Sequence, residues 1–323
     1  MNLTFCFPFN NNNDGGGDNK AESLFSMFSF SFMLCYVKMA QMIKRNNHIN
    51  MTRILLWWTG CLFSGCLATF TRSNGIVLVA YLLHYIIINI YRLLYSKKKK
   101  KRKKGTINIA VVTIFSMIIV LCTAIPLVVV DQMGRELYCN SNNNSSRPWC
   151  GANGGSLYTF VQSEYWNQGL FHYWRLSQLP NFLLSFPILF SCFHMFYQYM
   201  YNNKKKIFTL QIFGLVTEEE ERGEETIVPF VYHGFALSLL CFFCMHVQVA
   251  TRFILASTPV VYWYWYDILY DNKNHERGRD DDNDEKKRKR TLFMTWYRRL
   301  LLHYIWIFNV VGIVLFSSFY PWT

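Results

Sequence analysis

Charged side chains are scarce in this sequence. Asp, Glu, Lys and Arg make up 16% of its 323 residues, against about a quarter in soluble domains. That scarcity argues against an ordinary soluble fold. Several motifs are missing as well: the sequence holds no Walker loop, dinucleotide fingerprint, nucleophile elbow or HExxH, so the chemistries those motifs carry have no footing here. No basic n-region precedes an apolar run at Met1, and no signal peptide is expected. No internal repeat is visible, which disfavours a transporter built from inverted halves.

What is present is apolar and aromatic: 52% of residues are hydrophobic and 18% aromatic, with 28 Phe, 20 Tyr and 10 Trp. A span needs roughly 20 mainly apolar residues. Eight stretches qualify, at 24–43, 54–71, 76–95, 107–130, 182–201, 227–250, 253–270 and 300–319. Pro126, Pro187, Pro229 and Pro259 fall inside them, where they would kink or break a helix. The expected fold is an all-α polytopic membrane protein, a single multi-span domain over 1–323 with a long loop at 131–181.

The net charge is +13, and the run KKKKKRKK at 97–104 resembles a nucleic-acid patch. It directly follows an apolar segment, as cytosolic juxtamembrane lysines do, so no nucleic-acid partner is expected. With eight spans, the segments 44–53, 92–104, 204–226 and 271–299 share one side and hold 26 of the 33 Lys and Arg. The positive-inside rule makes that side cytosolic. The 131–181 loop and the 71–75 and 250–253 turns then face the lumen. The sequons at Asn143 and Asn144 fall on that side, as does the one at Asn2, whereas Asn50 is cytosolic and should stay unmodified. Cys139 and Cys150 bracket the loop sequons at a spacing that allows a lumenal disulfide, although most of the 10 Cys suit an apolar core. The segments 10–18, 204–226 and 271–290 read as exposed low-complexity or charged loops.

TRSNG at 71–75 reads as a tight turn between two spans, with Asn-Gly supplying a sharp reversal. The plainer account is a helix hairpin with an interfacial arginine. Against it, Arg72 and Arg252 both sit on the side where the charge rule disfavours arginine. Each has polar neighbours: Asn74 beside the first, His246 and Gln248 beside the second. Arginine donates two parallel hydrogen bonds to phosphate, and ionisable groups at membrane depth are functional candidates. The 158–187 stretch mixes aromatics with amides and an acid, including Gln162, Glu164, Tyr165, Trp166, Tyr173 and Asn181. An interfacial aromatic belt explains its Trp and Tyr residues. Aromatic faces with amide hydrogen bonds also suit a carbohydrate. The CFFCMH run at 241–246 lies in an apolar helix without a second ligand pair, so no metal is expected. His84, His194 and His233 read as helix-interior or interfacial residues.

Four blocks carry a resemblance: TRSNG at 71–75, RPWC at 147–150, QSEYWNQGLFHYWRLSQLPNFLLSFP at 162–187 and CMHVQVATRFILASTPVVYW at 244–263. Together with CFPF at 6–9 and AESLFSMFSF at 21–30, they resemble the GPI mannosyltransferase 2 family of the GT-C superfamily. The resemblance implies addition of the second mannose, α-1,6-linked, to the GPI-anchor precursor glycolipid. The donor would be dolichyl-phosphate mannose, with no other cofactor, and the site would face the lumen of the endoplasmic reticulum. A small membrane subunit is a further implied partner. GT-C enzymes generally invert configuration with an acidic residue as base, and the family carries a Trp-Asp-type motif in its first lumenal loop. That motif is not found here, so the chain is expected to be a C-terminal portion of the enzyme. The lumenal acids are Asp14, Asp18, Glu22, Asp131, Glu136 and Glu164, of which Glu164 is the nearest to a substitute base. The alternative is a non-catalytic polytopic subunit or truncated pseudoenzyme of the same pathway.

Overall fold

The computed structural model describes residues 17–45, 51–96, 103–139, 149–150, 156–202, 227–270 and 284–317. Among them every regular element is helical. In chain order these are α1 (Gly17–Arg45), α2 (Met51–Thr71), a 3-10 turn (Ser73–Leu78), α3 (Val79–Ser96) and α4 (Lys103–Cys139). The short α5 (Leu157–Phe160), a π-turn (Val161–Tyr165) and a 3-10 turn (Leu176–Gln178) lead into α6 (Leu179–Asn202). Then come α7 (Val228–Phe243), a 3-10 turn (Val247–Val249), α8 (Ala250–Ser257), α9 (Pro259–Tyr270) and α10 (Asp284–Ser317). Among the described residues, five stretches are long and apolar enough to cross a bilayer: Glu22–Met42, Thr52–Thr71, Ser73–Ile90, Val111–Cys139 and Leu176–Asn202. The chain is an all-α polytopic membrane protein.

The expected crossings differ from the structure in the last third. The span expected at 227–250 stops at Phe243, where Cys244 takes φ −115° and the chain leaves the helix. The span expected at 253–270 is split at Thr258, whose φ −130° and ψ 83° lie outside the helical region. The cause is Pro259, which crowds the residue before it and then starts α9 at its own preset φ. Pro229 likewise sits at the start of α7, whereas Pro126 and Pro187 are carried inside α4 and α6. Loop boundaries also move: α1 begins at Gly17, inside the loop expected at 10–18. α4 continues through Cys139, past the expected start of the loop at 131, and residues 284–290 form the first turns of α10 instead of a loop. Their sequence DEKKRKR puts acids first, where the helix dipole favours them, and strong helix formers after.

Close approach of small and hydroxylated residues holds the bundle, as membrane helices require. At Gly65 on α2, an added Cβ would lie 2.7 Å from Thr123 Cγ2 of α4 and 3.2 Å from the Phe32 ring of α1. Ser191 on α6 is fully buried and links three helices. It shares a 2.6 Å hydrogen bond with Tyr297 OH of α10, receives one from Trp265 Nε1 of α9 at 2.8 Å, and also bonds the Pro187 carbonyl. Ser191→Ala therefore strands a buried indole N–H and a buried phenol. A loss of about 1–2 kcal/mol is expected, in line with interhelical hydrogen bonds in membranes. A detergent melting curve measures it.

Side-chain contacts gather several helix ends at one end of the bundle: the start of α1, the end of α2, the end of α4, the end of α7 and the start of α8. The opposite helix ends lead into the four basic segments.

Candidate functional site

Three elements far apart in sequence meet at that end. Glu22, near the start of α1, places Oε1 3.0 Å from Arg72 Nη1 and 2.9 Å from Arg252 Nη1. Arg72 follows α2 directly in an extended conformation, φ −147° and ψ 135°. Its backbone N–H donates to the Ala68 carbonyl, and its own carbonyl accepts from Gly75 N–H at 2.9 Å. Arg252 lies in the first turns of α8. The Arg72 guanidinium also faces two rings, with Cζ 5.0 Å from the Phe253 centroid and 5.9 Å from that of Phe25. Relative side-chain exposures are 17% for Arg72, 24% for Glu22 and 34% for Arg252, so the cluster is partly withdrawn from water yet open.

Two cations share one carboxylate, leaving one positive charge. Glu22 uses Oε1 for both arginines, while Arg252 Nε is buried without a hydrogen-bond partner among the described residues. Asn74 Oδ1, two residues beyond Arg72, is in the same condition. Unmet donors and acceptors beside a residual positive charge fit an anionic ligand that also carries hydroxyls.

A strap over residues 156–181 runs past this cluster and is pinned at both ends. At its start, Asp131 Oδ1 of α4 accepts from Ser156 Oγ at 2.7 Å and Tyr158 N–H at 3.2 Å. The Asp131 carboxylate also pairs with Arg135 one helical turn on. Tyr158 OH then shares a 2.7 Å hydrogen bond with Ser73 Oγ, next to Arg72. Further along, His246 Nε2 meets the Trp166 carbonyl at 2.6 Å, and its ring stacks on Tyr173 at 4.7 Å. Asn181 Nδ2 donates to Tyr173 OH and to Gln178 Oε1. Burial pushes the Tyr173 phenol above its ordinary pKa, and the bond from Asn181 opposes that shift. Phe171 takes φ 61°, unusual for a bulky residue, while its N–H donates to the Phe243 carbonyl at 2.8 Å. Asp131→Ala removes both contacts at the strap's start and the pair with Arg135 within α4. Faster hydrogen exchange over 156–165 and a loss of about 1–3 kcal/mol are expected.

The sequence-predicted residues thus divide. Arg72 and Arg252 come together, with Asn74 in the turn that follows Arg72. Trp166, Tyr173, Asn181 and His246 form a second cluster whose polar groups bond one another, so this part of the aromatic–amide mixture braces the strap. Gln162 keeps a buried Oε1 without a hydrogen-bond partner among the described residues. Glu164 and Tyr165 are exposed on the π-turn. Gln248 lies in the Val247–Val249 turn, and its side chain is outside the described residues. Cys139 and Cys150 are joined in a disulfide. The sequons at Asn2, Asn50, Asn143 and Asn144 lie outside the described residues.

Sequence reasoning counted Glu22 among the lumenal acids without giving it a role. Its signal was an acid at the mouth of an apolar helix, on the side where two unexplained arginines sit. Gly75 has a different task from the one expected: its Cβ position falls 2.5 Å from Ala68 C and Thr69 N, so close approach, and no left-handed turn, requires glycine.

Comparison with known proteins adds a family. The family model described as Mannosyltransferase (PIG-V) matches residues 3–323. Among curated relatives, GPI mannosyltransferase 2 of Drosophila pseudoobscura pseudoobscura is 27% identical over 94% of this chain and 63% of its own length. The Drosophila melanogaster protein of that name is 30% identical over 82% of this chain and 57% of its own length. GPI alpha-1,6-mannosyltransferase 2 of Mus musculus is 28% identical over 83% and 62%. The chain therefore spans about three fifths of the length of these relatives. No solved structure matches it.

Proposed function

This chain belongs to the mannosyltransferase (PIG-V) family, and from that premise we propose that it acts in adding the second, α-1,6-linked mannose to the GPI-anchor precursor. The donor is dolichyl-phosphate mannose, and the Glu22–Arg72–Arg252 end of the bundle faces the lumen of the endoplasmic reticulum. The observation that carries this reading is the pair of guanidiniums converging on one carboxylate at the weakly charged end, with one positive charge left over.

In such a transfer the acceptor hydroxyl oxygen bonds to the mannose anomeric carbon as the bond from that carbon to the phosphate oxygen breaks. The bonding pair leaves with the lipid phosphate, and the hydroxyl proton passes to a base. Arg72 and Arg252 would hold the donor phosphate and stabilise the charge it gains. Asn74 and Gln162, with their unmet oxygens, are the proposed sugar contacts. His246, Tyr173, Trp166 and Asn181 hold the strap against this region, and Tyr165 and Gln248 flank it in sequence. A small membrane subunit would bind elsewhere on the bundle.

A second reading, a non-catalytic subunit or pseudoenzyme of the pathway, is favoured by one observation. Glu22 is engaged by two arginines and Glu164 is exposed on the π-turn, so neither stands free inside the cluster. The test uses microsomes from cells lacking the endogenous enzyme. They receive this chain alone or within a longer version matching the relatives' length. Conversion of one-mannose precursors to two by either version supports the enzyme. Conversion by neither, with normal protein levels, supports the second reading.

A further inference from the structure

The charge of the anion site is set by Glu22. Arg72 and Arg252 alone would present two positive charges, but the shared Oε1, 3.0 and 2.9 Å from their Nη1 atoms, cancels one of them. It also fixes the spacing: two nitrogens bonded to one oxygen cannot drift apart while both bonds persist. Each guanidinium uses a single nitrogen on Glu22, and a guanidinium has five N–H donors. The rest remain for a ligand, including the buried, unpartnered Arg252 Nε. Phe253 and Phe25 lie against Arg72 and limit how well water screens the cluster. Charge matching therefore matters more here than on an open surface.

Resting on the phosphate reading above, we propose that Glu22 is a specificity-determining residue: it orients both guanidiniums and lowers the site's charge to +1, which weakens a more highly charged phosphate monoester more than a singly charged phosphodiester and so shifts selectivity toward the diester. A glycosyl lipid phosphate is a diester with one negative charge. The lipid phosphate left after transfer is a monoester, with a charge near −1.5 to −2 at pH 7. Glu22 repels that extra charge and favours departure of the product. Stabilisation of the leaving group at the chemical step is weaker in exchange.

The test measures binding of two probes, a short polyprenyl phosphate and its mannosyl phosphodiester, to the purified full chain in detergent, followed by tryptophan fluorescence. E22Q, which keeps an amide oxygen in place but removes the charge, tightens the monoester by about tenfold or more with a smaller change for the diester. E22D keeps the wild-type preference. An unchanged probe ratio in E22Q overturns the proposal. Should E22Q fail to fold, R252Q lowers the site's charge instead and must weaken the monoester more than the diester; equal weakening overturns the proposal. If neither probe binds the wild type, or binding survives in R72A and R252A, the phosphate reading itself falls and takes this one with it. If both probes bind through the arginines and Glu22 leaves their ratio unmoved, only the role of Glu22 falls.

Discussion

On the proposed function, Arg72→Ala is expected to lower mannose transfer roughly 10²–10³-fold in the microsomal assay, the loss typical when one preorganised donor to a developing oxyanion is removed. The variant takes away a partner of Glu22 and the cation lying over Phe253 and Phe25. It leaves Glu22 and Arg252 as a neutral pair with no surplus charge for a phosphate. Arg72→Lys keeps the charge without the planar fork, so it should recover only part of the activity. Protein level and the detergent melting midpoint separate this effect from misfolding. Activity within twofold of wild type at a normal level would remove Arg72 from the site.

Gly75→Ala should cost about 1–3 kcal/mol of stability and most of the activity together. The added methyl would sit 2.5 Å from both Ala68 C and Thr69 N, which are backbone atoms and cannot rotate away. The 3-10 turn must then lift off the end of α2. That breaks the 2.9 Å bond from Gly75 N–H to the Arg72 carbonyl and moves Arg72, Ser73 and Asn74 as a unit. The melting midpoint in detergent and the transfer assay read the two effects. A stable variant with full activity would show that the turn tolerates the displacement.

The contrast between Arg72 and Glu22 shows what was legible in the sequence. Arg72 and Arg252 stood out because a cation on the wrong side of a charge gradient is conspicuous along a single chain. Their meeting on Glu22 was not, since the three residues lie 50 and 180 positions apart and only helix packing joins them. Long apolar runs were legible for the same reason that breaks within them were not. Hydropathy sums across Cys244–His246 and Thr258 without registering that the backbone turns there. The 158–187 stretch misled in part. Asn181 looked like a group reaching for a sugar, but a hydrogen bond satisfied inside the protein has the same sequence signature as one awaiting a ligand.

The disulfide between Cys139 and Cys150 has a consequence for how this chain can vary. Between the two cysteines runs NSNNNSSRPW, whose residues 140–146 are all Asn or Ser. Because the ring is closed at its base, residues can be gained or lost inside it while α4 and the strap on either side keep their distance. The linkage acts as a knot that uncouples repeat length from the geometry at Asp131, Ser73 and Arg72. Indels within its Asn/Ser run at 140–146 should therefore be close to neutral for selection, whereas a single added residue between Thr71 and Gly75 should not.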